Sequence, residues 1–205
     1  MSDFIYLASQ SPRRRQLLAQ IGVPLQLLPP DDADAAEALE AVRVGEAPAA
    51  YVRRVTRLKL GDAVQRLAAR GLPPAPVLCA DTTVALGRDI LGKPRDAAEA
   101  AAMLRRLSGR THRVLTAVAV QAGGARHEVL SDSRVRFAAL SEADIGAYLA
   151  SGEWQGKAGA YAIQGRAAAH IEHISGSYSG IMGLPLCETA AALRLVGIHP
   201  ARAAT

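Results

Sequence analysis

The sequence predicts an α/β protein built on a long, bent, mixed sheet. Strand and helix patterns are mixed along the chain without a regular βαβ series. Two long β segments, residues 112–121 and 127–137, meet at Gly123-Gly124 and predict a hairpin. The 205 residues are 50% hydrophobic and contain no low-complexity linker or internal repeat. We therefore expect one domain over residues 1–205, either compact or made of two small lobes that share a core.

The N-terminal quarter predicts strand, helix and strand in that order. Residues 4–8 form an apolar run with strand character. Ser11 is a good N-cap, and Pro12 suits the first helical position, where no amide hydrogen is needed. Residues 25–28 predict the second strand, and an acidic loop with three aspartates follows at residues 29–34.

The middle of the chain predicts a long helix and a strand that ends in polar residues. Pro48 opens an amphipathic helix that should reach about residue 70. Residues 77–80 predict an apolar strand that delivers Asp81 and Thr82 to its C-terminal end. Ligands bind at that end of the strands in open α/β sheets, so we expect a site there.

Two helices in the second half carry capping signals. Asp96 with Glu99, and Ser141 with Asp144, have the spacing of capping boxes for helices ending near residues 107 and 150. The remaining expected elements are an extended segment at 84–86, a turn at 87–89, a glycine-rich stretch at 152–165, a strand at 169–174, a loop from 176 to 183 and a final helix at 186–196.

Arg13, Arg14 and Arg15 crowd the first turn of the first predicted helix. Cations at this end oppose the helix dipole and cost about 0.3–1 kcal/mol each. A bound phosphate would reverse the sign, because free amides, the positive helix end and guanidinium donors would converge on it. The alternative is a solvated basic turn in an arginine-rich protein.

The composition favours a small anionic ligand. The net charge of +5 indicates an anionic partner, which could be nucleic acid, nucleotide or an acidic surface. Aromatic residues make up only 4% of the chain, which disfavours a stacking platform for single strands. Lys59, Lys93 and Lys157 are the only lysines among 24 basic residues. Each either marks a site that needs a compact ammonium group or is retained by chance.

The sequence also predicts the compartment. Cys79 and Cys187 form no Cys-x-x-Cys pair, as expected for a reduced protein in the cytoplasm. We find no run of 18 apolar residues and no signal-peptide pattern, so no membrane partner is expected.

Three polar residues are placed where they could carry chemistry. Asp81 follows a buried strand and could act as a general base or bind Mg²⁺, or it could simply cap a turn. Lys93 lies in a rigid Gly-Lys-Pro turn that could meet a phosphate oxygen or lie on the surface. Gln164 ends an apolar segment that we predict to be a strand, where its amide could read a base edge or satisfy buried backbone. Walker A, Gly-x-Gly-x-x-Gly and Gly-x-Ser-x-Gly patterns do not occur.

Ordered motifs along the chain resemble those of the Maf family of nucleoside triphosphate pyrophosphatases, once described as septum formation inhibitors. The match runs from Tyr6 to about Val196. Its motifs are Leu7-Ala8-Ser9-Gln10-Ser11-Pro12-Arg13-Arg14, Ala80-Asp81-Thr82, Gly92-Lys93-Pro94, Ser108-Gly109-Arg110-Thr111-His112, Lys157-Ala158-Gly159-Ala160-Tyr161-Ala162-Ile163-Gln164-Gly165, and Gly176-Ser177-Tyr178 through Gly183-Leu184-Pro185-Leu186.

The resemblance implies a fold, a reaction and roles for residues. The fold is similar to that of inosine triphosphate pyrophosphatases, with a ligand cleft between two lobes. The reaction is cleavage between the α and β phosphates with the help of Mg²⁺ or Mn²⁺. By position, Asp81 is similar to the family's proton acceptor. The triphosphate clamp matches Arg14, Lys59 and Lys93, and the specificity set of the dTTP and UTP branch matches Arg13, Thr82 and Gln164.

The sequence differs from the family pattern at two positions, and one alternative function stays open. The family usually has Glu after the second strand, and the nearest candidate here is Asp34, which we expect with Asp81 as a metal ligand. Trp154 stands where the family usually has Pro. The implied partner is a nucleoside triphosphate, with no stable nucleic acid partner and a possible homodimer. The alternative is a regulator of cell division that binds nucleic acid or a septal protein without turnover.

Overall fold

A mixed seven-stranded sheet forms the centre of the computed structural model, which describes residues 2–200 apart from the side chains of residues 33, 34 and 36. The strands are β1 (Ile5–Leu7), β2 (Leu25–Leu27), β3 (Val77–Leu86), β4 (Asp89–Leu91), β5 (Thr111–Ala122), β6 (Ala125–Phe137) and β7 (Ile171–Ser175). Their order is β2-β1-β3-β5-β6-β7, and β4 pairs with part of β3. The parallel pairs involve β1, and the long central pairs are antiparallel. The predicted α/β class with a mixed sheet is confirmed.

Helices cover both faces of this sheet. They are α1 (Pro12–Gln20), α2 (Ala33–Ala38), α3 (Pro48–Ala69), α4 (Ala97–Leu107), α5 (Glu142–Ala150), α6 (Tyr178–Met182) and α7 (Leu186–Leu195). Helix α3 packs Tyr51, Val52 and Val55 against Leu115 and Ala117 on one face. Helices α1 and α7 pack on the other face, in a cluster that includes the fully buried Leu18, Leu78 and Leu193. None of the helices within residues 2–200 is long and apolar enough to cross a membrane.

The hairpin and the capping signals are confirmed with small changes. Strands β5 and β6 pair from Thr111↔Arg136 to Ala122↔Ala125, as the two long β segments predict. Ser141 and Asp144 form a reciprocal capping box at α5. At α4 only half of the box forms, because Asp96 caps Glu99 while the Glu99 carboxylate accepts from the Arg95 amide instead.

Four local predictions are wrong. Asp81 lies in the middle of β3 rather than at its end, because β5 pairs with β3 from Val77 to Ala85 and keeps it extended. Helix α2 begins at the end of the predicted acidic loop, at residue 33, because the Asp32 carboxylate accepts from the Ala35 amide and alanines favour helix. The other two are the predicted loop at 176–183, which contains α6, and the predicted strand ending at Gln164, which is a turn followed by a 3₁₀ segment, Arg166–His170.

Candidate active site

A gap along one edge of β3 places a cavity against the sheet. Strand β1 pairs with β3 only at Val77 and Leu78, and β4 pairs with it only from Val84 onward. Between these points, no strand in the described part of the chain covers that edge of β3. A cavity of about 430 Å³ lies there, between α1, the α2–α3 region and the segment after α5.

All the described side chains predicted to act on substrate line this one cavity. They are Arg13, Arg14, Lys59, Asp81, Thr82, Lys93 and Gln164. They come from five separate places in the chain, so the fold itself brings them together. The side chain of Asp34, the second expected metal ligand, lies outside the described residues, and its role stays a prediction.

Asp81 and Thr82 reach the cavity from opposite faces of the sheet. Side chains alternate along a strand, so consecutive residues point in opposite directions. Asp81 points toward α3, where Lys59 lies, and Thr82 points toward Arg14 of α1. Both can line one cavity because the edge of β3 is open between them.

Lys59 bridges two carboxylates in the cavity. Its Nζ donates to Asp81 Oδ1 at 2.7 Å and to Glu40 Oε1 at 2.6 Å. The Lys59, Asp81 and Glu40 side chains are only 19%, 10% and 23% exposed, so little water screens their charges. An ammonium has three donors, which leaves Lys59 one N–H for a ligand.

Lys93 shares the same acidic partner. Its Nζ lies 3.0 Å from Glu40 Oε2 and 3.5 Å from Glu37 Oε1. Burial alone would raise the pKa of the Glu40 carboxyl, but the Lys59 and Lys93 ammonium groups outweigh burial and lower it. Burial would lower the pKa of Lys93, and the hydrogen bond and charge of Glu40 raise it instead. Both groups are therefore held in their charged forms.

Glu37 and Glu40 are cavity residues that the sequence reasoning missed. Their spacing of three puts Glu37 and Glu40 on one side of a helical turn. That spacing could have signalled a joint role. The sequence prediction places no helix after the acidic loop at 29–34, so the spacing has no such meaning until α2 is known.

Arg14, in the first turn of α1, donates hydrogen bonds to three acceptors. Its Nε donates to the Gly183 carbonyl at 2.9 Å, and its two terminal nitrogens donate to Ser9 Oγ at 3.1 Å and to Thr82 Oγ1 at 3.2 Å. Burial lowers the pKa of Arg14, and the nearby Asp81 charge opposes that shift. Three of the five guanidinium donors are used, so two remain for an anion.

Arg13 lies beside Arg14 and donates to the same turn at the end of α6. Arg13 Nε donates to the Met182 carbonyl at 3.2 Å, so the two arginines hold consecutive carbonyls at the end of α6. Gly183 has a φ of 123°, which an L residue rarely adopts, and the turn lets its backbone approach the Arg14 side chain.

The segment from Lys157 to Gln164 forms the opposite wall. Gly159 has a φ of 67°, and a Cβ there would lie 2.9 Å from a Val84 methyl carbon, so glycine permits the close approach to β3. Tyr161 is buried and its hydroxyl lies 2.7 Å from His112 Nε2. This contact anchors the segment in the core, while Gln164 stays exposed at the cavity.

The fold and the cavity together define an α/β protein with a cation-rich, carboxylate-containing site for a small anionic ligand. The family model described as "Maf-like protein" matches residues 4–196. The chain therefore belongs to the Maf family, as the ordered motifs predict.

Curated relatives match almost the whole chain. Proteins named dTTP/UTP pyrophosphatase from Albidiferax ferrireducens and from a Polaromonas species are each 66% identical over 197 residues, which is 96% of this chain and 98% of theirs. The protein of that name from Cupriavidus metallidurans is 61% identical over 199 residues, covering 97% of this chain and 100% of its own. A solved structure described as a nucleoside-triphosphatase and dITP/XTP pyrophosphatase, from Mycobacterium abscessus, matches 65% of this chain and 73% of its own. Its identity is 17% and its TM-score is 0.43, which is too weak a likeness to support an argument.

Proposed function

We propose that this protein hydrolyses dTTP and UTP to the nucleoside monophosphate and pyrophosphate. The observation that carries the proposal is the convergence of Arg14, Lys59, Lys93 and Asp81 on one cavity with Arg13, Thr82 and Gln164. Relatives at 61–66% identity bear the name dTTP/UTP pyrophosphatase, which supports this choice of substrate. Modified pyrimidine nucleotides are further substrates that we propose, in a role of removing non-standard nucleotides.

In this proposal Asp81 is the general base. It takes a proton from a water molecule as the water oxygen attacks the α phosphorus. The bond from that phosphorus to the bridging oxygen breaks, and pyrophosphate leaves with the bond's electron pair. Such proton transfer by a positioned carboxylate contributes about 10²–10⁴-fold in rate. The bond from Lys59 fixes Asp81 Oδ1 in place.

The phosphate clamp that we propose consists of Arg14, Lys59 and Lys93. Each carries donors beyond those used within the protein, and together they can offset charge that builds on the phosphate oxygens in the transition state. Lys93 is the more exposed of the two lysines, at 43%. It can therefore replace its bonds to Glu37 and Glu40 by bonds to a phosphate with less rearrangement than Lys59.

A divalent cation fits this site as a companion of the substrate. The described residues contain no group of three or more His, Cys, Asp or Glu side chains that could hold a metal. Mg²⁺ commonly needs only one or two carboxylates, because substrate phosphates and water complete its shell. Asp81 and Glu40 offer such oxygens, and Asp34 stays a candidate ligand. When bound, Mg²⁺ or Mn²⁺ would withdraw charge from the phosphate oxygens.

Arg13, Thr82 and Gln164 are the residues that we propose to select the base. The Gln164 amide offers both a donor and an acceptor, which suits a pyrimidine edge that presents both. We further propose a cytoplasmic enzyme with no stable nucleic acid partner, and a homodimer is the assembly to test.

The experiment is product analysis with the purified protein. With Mg²⁺ or Mn²⁺, dTTP and UTP should yield pyrophosphate and the monophosphate. Asp81→Asn should lower kcat by at least about 10²-fold if Asp81 is the base. Asp132→Asn is the matched control, because Asp132 lies on β6 outside the cavity lining, pairs with Arg113 and is 41% exposed. Release of single phosphate, or a normal rate in Asp81→Asn, would contradict the proposal.

A further inference from the structure

A line of hydrogen bonds runs from Arg14 through two threonines to helix α6. Arg14 Nη2 lies 3.2 Å from Thr82 Oγ1, which lies 2.9 Å from Thr116 Oγ1. Thr116 Oγ1 lies 2.7 Å from the Gly180 carbonyl oxygen. Thr82 and Thr116 face each other directly across the β3–β5 pair, and Thr116 is 1% exposed. Thr116 does not line the cavity.

Counting donors fixes the direction of every bond in this line. A carbonyl oxygen can only accept, so Thr116 gives its one hydroxyl proton to Gly180. Thr116 must then accept from Thr82, which thereby commits its own proton. A guanidinium can only donate, so Thr82 accepts from Arg14. Thr82 is left with one lone pair and no proton to offer to a ligand.

We propose that Thr116 is a positioning residue that makes Thr82 a pure hydrogen-bond acceptor toward the substrate. The substrate group that meets Thr82 is then a donor. The N3–H of a keto pyrimidine, as in uracil and thymine, has this chemistry. The unprotonated N3 of cytosine and a phosphate oxygen are acceptors and do not. This inference rests on the proposed function, in which Thr82 faces the base.

Without the Thr116 hydroxyl, the selection should weaken. In Thr116→Val the proton of Thr82 loses its acceptor and becomes free to turn toward the ligand. The site should then accept cytosine N3 as well as uracil N3–H. A single neutral hydrogen bond of this kind changes affinity by about 2–10-fold, so a similar change in preference is expected.

The experiment compares kcat/KM for UTP and CTP, measured as pyrophosphate release. Wild type should prefer UTP, Thr116→Val should lower the UTP-to-CTP ratio by about 2–10-fold, and Thr116→Ser, which keeps a hydroxyl, should retain the wild-type ratio. A purely structural role for Thr116 would lower both rates together and leave the ratio unchanged. That unchanged ratio in a folded Thr116→Val protein overturns the inference.

Thr82→Val provides the second arm if Thr116→Val does not fold, because it leaves the bond from Thr116 to Gly180 intact. It should lower the same ratio, because the acceptor that Thr82 offers to the base is gone. A wild-type ratio retained in Thr82→Val overturns the inference while leaving the proposed hydrolysis standing. A wild type that releases no pyrophosphate from UTP overturns the proposed function and this inference together.

Discussion

Lys59 offers the sharpest test of how the site is held together. It bridges Asp81 and Glu40 at 2.7 and 2.6 Å, so Lys59→Met removes the one cation between two carboxylates. Exposed ion pairs contribute about 0.2–1 kcal/mol, and breaking a buried pair costs about 3–5 kcal/mol. At 10–23% exposure these side chains lie between the two limits. We therefore expect Lys59→Met to lower the free energy of unfolding by about 2 kcal/mol.

The assay is urea unfolding at pH 8 and pH 5. Lys59 no longer lowers the pKa of the Glu40 carboxyl in Lys59→Met, so protonation of Glu40 relieves its repulsion with Asp81 as the pH falls. The destabilisation should therefore be smaller at pH 5. In a double-mutant cycle, Glu40→Gln should lower the free energy of unfolding less in the Lys59→Met background than in wild type. In that background Glu40 has already lost Lys59, and its removal relieves the repulsion with Asp81.

Arg57→Met is the matched control. Arg57 lies on the same helix and pairs with Glu128, but its side chain is 52% exposed. Its loss should cost much less than the loss of Lys59, because solvent screens the exposed pair. Equal costs for Lys59→Met and Arg57→Met, or additive effects in the Glu40 cycle, would refute the shared-cation reasoning.

Two further predictions concern the wall that carries Gln164. Burial lowers the pKa of His112 to about 4 from 6.5. As the pH falls, the unfolded chain therefore binds a proton at His112 before the folded protein does. The free energy of unfolding should be at its full value above about pH 6.5 and fall by up to about 3 kcal/mol toward pH 4. Urea unfolding of His112→Leu should not show this decrease. Gly159→Ala should cost about 1–3 kcal/mol and raise KM for UTP, because three Val84 carbons lie within 3.0 Å of the new Cβ. Gly123→Ala, also at positive φ but with no atom within 4 Å, should leave KM unchanged, and equal KM values in the two variants would contradict the steric argument.

The sequence predicts the sheet-forming half of this protein well because the signals there are local. The hairpin of β5 and β6 is specified by two long β segments and a Gly-Gly turn, and α5 by the reciprocal pair Ser141 and Asp144. The site residues were predicted through ordered motifs, and the described ones line one cavity. Their individual roles stay predictions.

What the sequence does not predict depends on contacts between distant segments. The sequence predicts that the strand ends at Asp81, because a charged residue after an apolar run usually marks the point where a chain leaves the core. It stays inside β3 because Lys59, 22 residues away along the chain, neutralises it. Glu40 has no recognisable role until α2 brings it to both lysines. Thr116 is unremarkable in a strand until its partners Thr82 and Gly180 are known.

The opposite orientations of Asp81 and Thr82 have a consequence for how such an enzyme can change. The general base, as proposed, depends on the α3 face of the sheet, where Lys59 holds Asp81, whereas base selection depends on the face that carries Thr116 and α6. Mutations packed beneath one face therefore have little reason to disturb the other. New substrate preferences could arise in a lineage by substitution around Thr82 while the machinery around Asp81 is inherited unaltered.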